Sequence, residues 1–172
     1  ADLISLKIGI NLVNADLMRM RAVTSAVHGF LDTIREGHPS APLLVVSPLH
    51  CPIHEDTPGP GAVDRTALAA GELRFRATGD PADRTKPTLG RIQEALARIV
   101  RQRAGQDPNL YYLDGHALYG AADYAELPLP DELHPDAATH RLIGTRFADL
   151  VFAPGGAFAS IAGTDSASQL GQ

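Results

Sequence analysis

Near the C-terminal end, Asp131-Glu132-Leu133-His134 places a carboxylate three residues before an imidazole, with Pro135 and Asp136 directly after it. Such a pair reads as the acid and base of a catalytic triad. The carboxylate fixes the imidazole tautomer and leaves the other ring nitrogen to take a proton from a nucleophile. Asp-x-x-His followed by Pro should arise by chance only about 0.04 times in a chain of this composition, so chance alone is a poor account of it. Pro135 suits the first position of a helix, and Ile143, Phe147, Leu150 and Val151 recur behind it at helical spacing. His134 is therefore expected to cap a helix that packs on the core. At the opposite end of the chain, Gly9-Ile10-Asn11 closes an apolar run. Gly9 permits a sharp departure or a close backbone approach, and Asn11 is expected at the carboxyl end of a strand, where open α/β sheets bind ligands.

The elements that must position these residues follow from periodicity. Leu3 to Ile8 reads as a buried strand. Met20, Val23, Val27, Phe30, Leu31 and Ile34 keep a helical period that Gly37 and Pro39 end. Leu43 to Val46, bounded by Pro42 and Pro48, is a continuous apolar run of the kind found in parallel strands covered on both faces. Residues 50–61 hold Pro52, Pro58, Gly59, Pro60 and Gly61 and read as loop. Leu73 to Ala77 alternates apolar and basic side chains, as in a half-exposed strand or one arm of a surface hairpin, with Arg74 and Arg76 facing solvent. Leu89, Ile92, Leu96, Ile99 and Val100 write a second long helix, Leu110 to Leu113 a third core strand, and 114–130 a loop. This alternation predicts an α/β fold, a three-layer parallel sheet with helices on both faces. It spans residues 1–152, and 153–172, rich in Gly, Ala and Ser, is expected to be a flexible tail or linker. All strand carboxyl ends then share one edge, which collects Asn11, the loop after residue 47, Asp131 and His134.

Composition narrows the function classes. The net charge of −5 over 172 residues, with no basic run, argues against an electrostatic nucleic-acid partner. No apolar run is long enough to span a membrane. The single Cys excludes an internal disulfide framework. No glycine loop that would cradle phosphate occurs, so no cofactor is expected. His50, Cys51, His54, Glu55 and Asp56 are metal-ligating types in one stretch, but Pro52 prevents the helix that would bring His50 and His54 onto one face. The segment is read as a pocket wall, with no metal site. His28, His38, His116 and His140 have no partner visible in the sequence. Ser5 lies inside a strand and Ser47 is followed by Pro48, so no serine sits where an exposed nucleophile requires.

These blocks resemble the SGNH or GDSL-type hydrolases. Members carry a Gly-Asp-Ser block after the first strand of a flavodoxin-like sheet, a Gly after the second, Gly-x-Asn after the third, and Asp-x-x-His near the C-terminus. Gly9-Ile10-Asn11 matches the third block and Asp131-Glu132-Leu133-His134 the last, in the expected order. Tyr112-Leu113-Asp114-Gly115 is similar to a stretch of the GDSL-like acylhydrolases. The Gly-Asp-Ser block is absent, so the resemblance implies that the first two strands and the nucleophile lie upstream of Ala1. That preceding segment would be needed to complete the sheet and the site. The implied function is hydrolysis of a small-molecule ester through a Ser-His-Asp triad, with His134 as base, Asp131 as its acid partner and Asn11 donating its amide N–H to the oxyanion. Acyl transfer on the same machinery, or a flavodoxin-like binding domain without catalysis, are the alternatives.

Overall fold

The apolar run Leu43–Val46 forms the central strand, and its alternation explains the layering. The computed structural model describes residues 1–159. Strands β1 (Ile4–Lys7), β2 (Leu43–Val46) and β5 (Leu110–Leu113) form a parallel sheet in the order β1-β2-β5. All four β2 residues are buried. Leu43 and Val45 point into one core with Val23, Val27 and Leu31 of helix α2 (Met20–Gly37) and with Ile92, Leu96 and Ile99 of helix α4 (Leu89–Arg103). Leu44 and Val46 point the other way, against Val151 of helix α6 (Ala137–Val151), Leu118 and Phe158. Helices thus cover both faces, as the sequence predicts for a strand without polar positions. Each side chain so buried contributes about 1.5–3 kcal/mol as an upper estimate.

The strand register aligns Lys7 with Val46 and Val46 with Leu113, so the three carboxyl ends share one rim. At the opposite end of the sheet, Arg35 of α2 donates to both oxygens of Asp107 and to the carbonyls of His38 and Ala41, tying the helix end to the turns that precede β2 and β5.

Several expectations are refined. Strand β1 is half-exposed rather than buried: Ile4 and Leu6 face the core, Ser5 and Lys7 do not, and among the described residues its outer edge has no partner. A short helix α1 (Ile10–Asn14) follows it, too brief to leave a periodic signature. Leu73–Ala77 contains β4 (Phe75–Ala77), which pairs antiparallel with β3 (Gly61–Val63), with helix α3 (Arg65–Ala69) between them. The 114–130 loop carries a 3-10 turn (Gly115–Ala117) and helix α5 (Ala121–Glu126), fastened to α6 by Arg146 on both oxygens of Asp123. Helix α6 begins at Ala137, capped by Asp136, whose carboxylate accepts from Thr139 N–H at 2.8 Å. A carboxylate caps better than an imidazole, so Asp136 displaces His134 from the expected role. Of the expected tail, residues 153–159 turn back and bury Phe158, and the rest lies outside the described residues. No described helix is long and apolar enough to cross a membrane.

Candidate active site

The Asp131–His134 motif folds as a tight turn in which both carboxylate oxygens of the aspartate are used. Asp131 Oδ1 accepts from the backbone N–H of Leu133 at 3.0 Å and of His134 at 2.7 Å. Its Oδ2 is then aimed at His134 Nδ1, 2.7 Å away. A carboxylate can only accept, so Nδ1 carries a proton, and in the neutral ring Nε2 is the nitrogen with the lone pair. Burial would raise the Asp131 carboxyl, but the N–H donors of His134, backbone and ring, and of Leu133 outweigh it and hold it below the ordinary carboxylate value.

The turn is braced from outside. Glu132 adopts the left-handed region at φ 70°, a conformation costing about 1–2 kcal/mol for a non-glycine residue. Arg74 Nη1 reaches one oxygen of Glu132 at 3.1 Å, and the Tyr124 hydroxyl donates to the other at 2.5 Å. That hydrogen bond to the carboxylate, with burial, pushes the Tyr124 phenol up to about 12, so it remains a donor. Phe75 N–H donates to the Asp131 carbonyl at 2.9 Å, and the Phe75 ring stands edge-on to the imidazole at 5.5 Å between centroids. The surface hairpin is therefore a support of the motif, and Arg74 is more than a solvated cation.

Across the rim, Gly9 has φ 144°, and a Cβ there would lie 2.3 Å from Pro48 Cγ. Only glycine lets the end of β1 pass so close to the loop after β2. Asn11 follows in the first turn of α1, exposed, its side-chain amide free of hydrogen bonds among the described residues. Helix α1 is clamped by the 50–61 loop, because the fully buried His54 places Nε2 3.1 Å from Asn14 Oδ1 and Nδ1 3.2 Å from the Thr57 carbonyl. Burial lowers the His54 pKa, against the Thr57 carbonyl, which raises it. Gly9, Asn11 and His134 line one cleft of about 140 Å³, floored by Tyr119, Leu129 and Leu133.

None of the described residues lining this cleft is a serine or threonine. Ser47 is buried and its Oγ accepts from Gly115 N–H. Cys51 touches the cleft, but burial first, and then the Glu55 carboxylate, push its thiol up to about 12, which leaves it a poor nucleophile. His50 lines the cleft as part of the expected wall, and so does Lys7, which the sequence pattern did not single out. His50 stands beside Glu55 (Nδ1 to Oε1 3.3 Å), and His116 approaches the same oxygen at 3.5 Å. One ligand atom from each of His50, Glu55 and His116 lies within 4.8 Å of the other two. His54 does not join this group: it is fully buried and its Nε2 lies against Asn14 Oδ1.

The chain matches no known protein family model and no curated protein. Among solved structures it is similar to the salicylyl-acyltransferase SsfX3 from a tetracycline biosynthetic pathway, with 28% identity and a TM-score of 0.62 over 85% of this chain. The chain spans 36% of the length of that enzyme.

Proposed function

We propose that this chain carries the base, its acid partner and an oxyanion donor of a serine-type acyl-transfer enzyme of the SGNH kind. The observation that carries the reading is that an imidazole with its tautomer fixed by Asp131 and an uncommitted asparagine amide line the same cleft. The likeness to an acyltransferase favours transfer to an alcohol over transfer to water. The nucleophilic serine comes from a segment ahead of Ala1 that pairs along β1. Three features support that placement: the outer edge of β1 has no described partner, Leu17 and Phe30 are large apolar side chains left exposed, and the cleft is smaller than the roughly 300–1,000 Å³ of a complete ligand site.

In this mechanism the serine Oγ attacks the acyl carbon of an ester or thioester while His134 Nε2 accepts the hydroxyl proton. The Asn11 amide donates to the developing oxyanion, where its hydrogen bond is worth more than in the ground state. The bond to the leaving group breaks and the imidazolium returns its proton to that group. An acceptor hydroxyl then repeats the sequence on the acyl-serine, and water in its place gives hydrolysis.

A fluorophosphonate probe on the parent polypeptide is the direct test. One upstream serine should be labelled, the label should disappear in His134→Ala, and an activated acyl ester should yield more acylated alcohol than free acid when a small alcohol is supplied. An unlabelled protein that turns over no ester or thioester would end the reading.

A further inference from the structure

The cluster of His50, Glu55 and His116 is used by none of the chemistry above, although His50 lines the same cleft as His134. Its contacts are longer than those of a tight charge-assisted hydrogen bond. Charge-assisted N–H···O contacts run about 2.7–2.9 Å, as the Asp131–His134 contact does. Here the separations are 3.3 Å for His50 Nδ1 and 3.5 Å for His116 Nε2 from one Glu55 oxygen. A tetrahedral zinc with bonds of about 2.0–2.1 Å holds its donors about 3.3 Å apart, so two edges of the triangle already have the length that coordination requires.

We propose that His50, Glu55 and His116 bind one divalent transition-metal ion of the zinc class, in the wall of the cleft. Two imidazoles and one carboxylate suit zinc or its neighbours better than magnesium or calcium, which prefer oxygen throughout. With three protein ligands the fourth position takes a water or an oxygen of a bound molecule, as in open zinc sites.

The surroundings hold the set in place. The Glu55 carboxylate is anchored by Cys51 N–H at 3.0 Å. His116 sits on the 3-10 turn after β5, its backbone N–H held by Asp114 at 2.9 Å. The ring of Tyr124 stands edge-on to His50 at 5.8 Å, and His116 does the same from another side at 5.7 Å. The two loops can come together because residue 115 is glycine: a Cβ there would lie 2.2 Å from the Pro48 carbonyl and 2.3 Å from that of Ser47. The ion would cross-link the loop after β2 to the turn after β5.

The test is equilibrium dialysis of the metal-stripped parent polypeptide against Zn²⁺ with elemental analysis, alongside the visible spectrum of the Co²⁺-loaded protein. No acyl substrate enters, so the outcome is independent of the acyl-transfer reading. One tightly bound equivalent is expected, weakened by about a hundredfold in His116→Ala and in Glu55→Gln, with far-UV circular dichroism unchanged. Glu55→Gln keeps an acceptor for Cys51 N–H. His140→Ala, at an exposed position of α6 outside the cluster, should leave affinity as it is. The unmutated protein should show the intense visible bands of four-coordinate Co²⁺, a result that needs no variant to fold. Absence of a bound equivalent, weak octahedral-type cobalt bands, or zinc affinity that survives both ligand substitutions would overturn the proposal.

Discussion

Two histidine–carboxylate groups stand on one rim of the sheet and are built in opposite ways. Asp131 and His134 belong to a single turn, three residues apart, and touch at 2.7 Å. His50, Glu55 and His116 come from loops after two different strands, and the two imidazole nitrogens lie 3.3 and 3.5 Å from one Glu55 oxygen. A contact made within one turn can be tight because the chain itself aims the donor. A group assembled from separate loops depends on how closely those loops pack, and here they leave the spacing of ligands rather than of a hydrogen bond. The first arrangement fixes the orientation of one imidazole, the proposed base, whereas the second has the spacing of the proposed metal ligands.

Removing the base should separate the two groups most sharply. In the parent polypeptide, His134→Ala should lower acyl turnover by on the order of 10⁴-fold or more while leaving zinc binding intact, and its largely exposed side chain makes unfolding an unexpected result. Steady-state kinetics beside a zinc titration would check it. Turnover unchanged within a factor of ten would remove His134 from the chemistry. Asn11→Ala should cost about 10²–10³ in kcat with little change in KM, the mark of a donor whose bond strengthens in the transition state. A change confined to KM would make Asn11 a ground-state contact instead.

The converse perturbation is Gly115→Ala. The added methyl would meet two backbone carbonyls that cannot rotate away, so the 3-10 turn must move and carry His116 with it. We expect zinc affinity to fall at least tenfold and stability by about 1–3 kcal/mol, with Asp131 and His134 untouched. Chemical denaturation and dialysis read the two effects separately. If Gly115→Ala leaves the zinc affinity as it was, the loop packing does not set the ligand spacing.

The same contrast explains what the sequence could reveal. Asp131 and His134 were visible because neighbours in the chain are neighbours in space, and the apolar run of β2 was visible because a strand covered on both faces leaves no polar position. Which strands lie side by side was not written in any local pattern. With the register Val46 to Leu113 known, His50 and His116 sit four and three residues beyond paired strand ends, and their meeting follows. Without it, His116 has no partner. The cap of α6 was misjudged because Pro135 signals a helix start but Asp136 offers the stronger side-chain acceptor. The α1 helix escaped because five residues carry too little period. The role of Arg74 was hidden because its partner Glu132 lies 58 residues away.

The smallest expected effect is on acid stability, and it bears on the tight pair alone. Asp131 titrates below its ordinary value in the folded chain, so between the folded and unfolded pKa values the unfolded chain binds more protons. Stability from this group is therefore complete above the ordinary carboxylate pKa of about 3.9, falls as pH drops through that window, and is gone once pH is below the folded value. Asp123, held low by the hydrogen bonds from Arg146, adds a loss of the same sign, so the parent curve alone cannot be assigned to one group. The difference between the parent and Asp131→Asn isolates it. That difference should be constant near neutral pH and shrink as the solution is acidified below about pH 4, because protonation makes the parent aspartate resemble the asparagine. A gap that stays constant down to pH 2 would mean that the carboxylate charge contributes nothing to holding the turn, and that the 2.7 Å contact orients the imidazole without stabilising the fold.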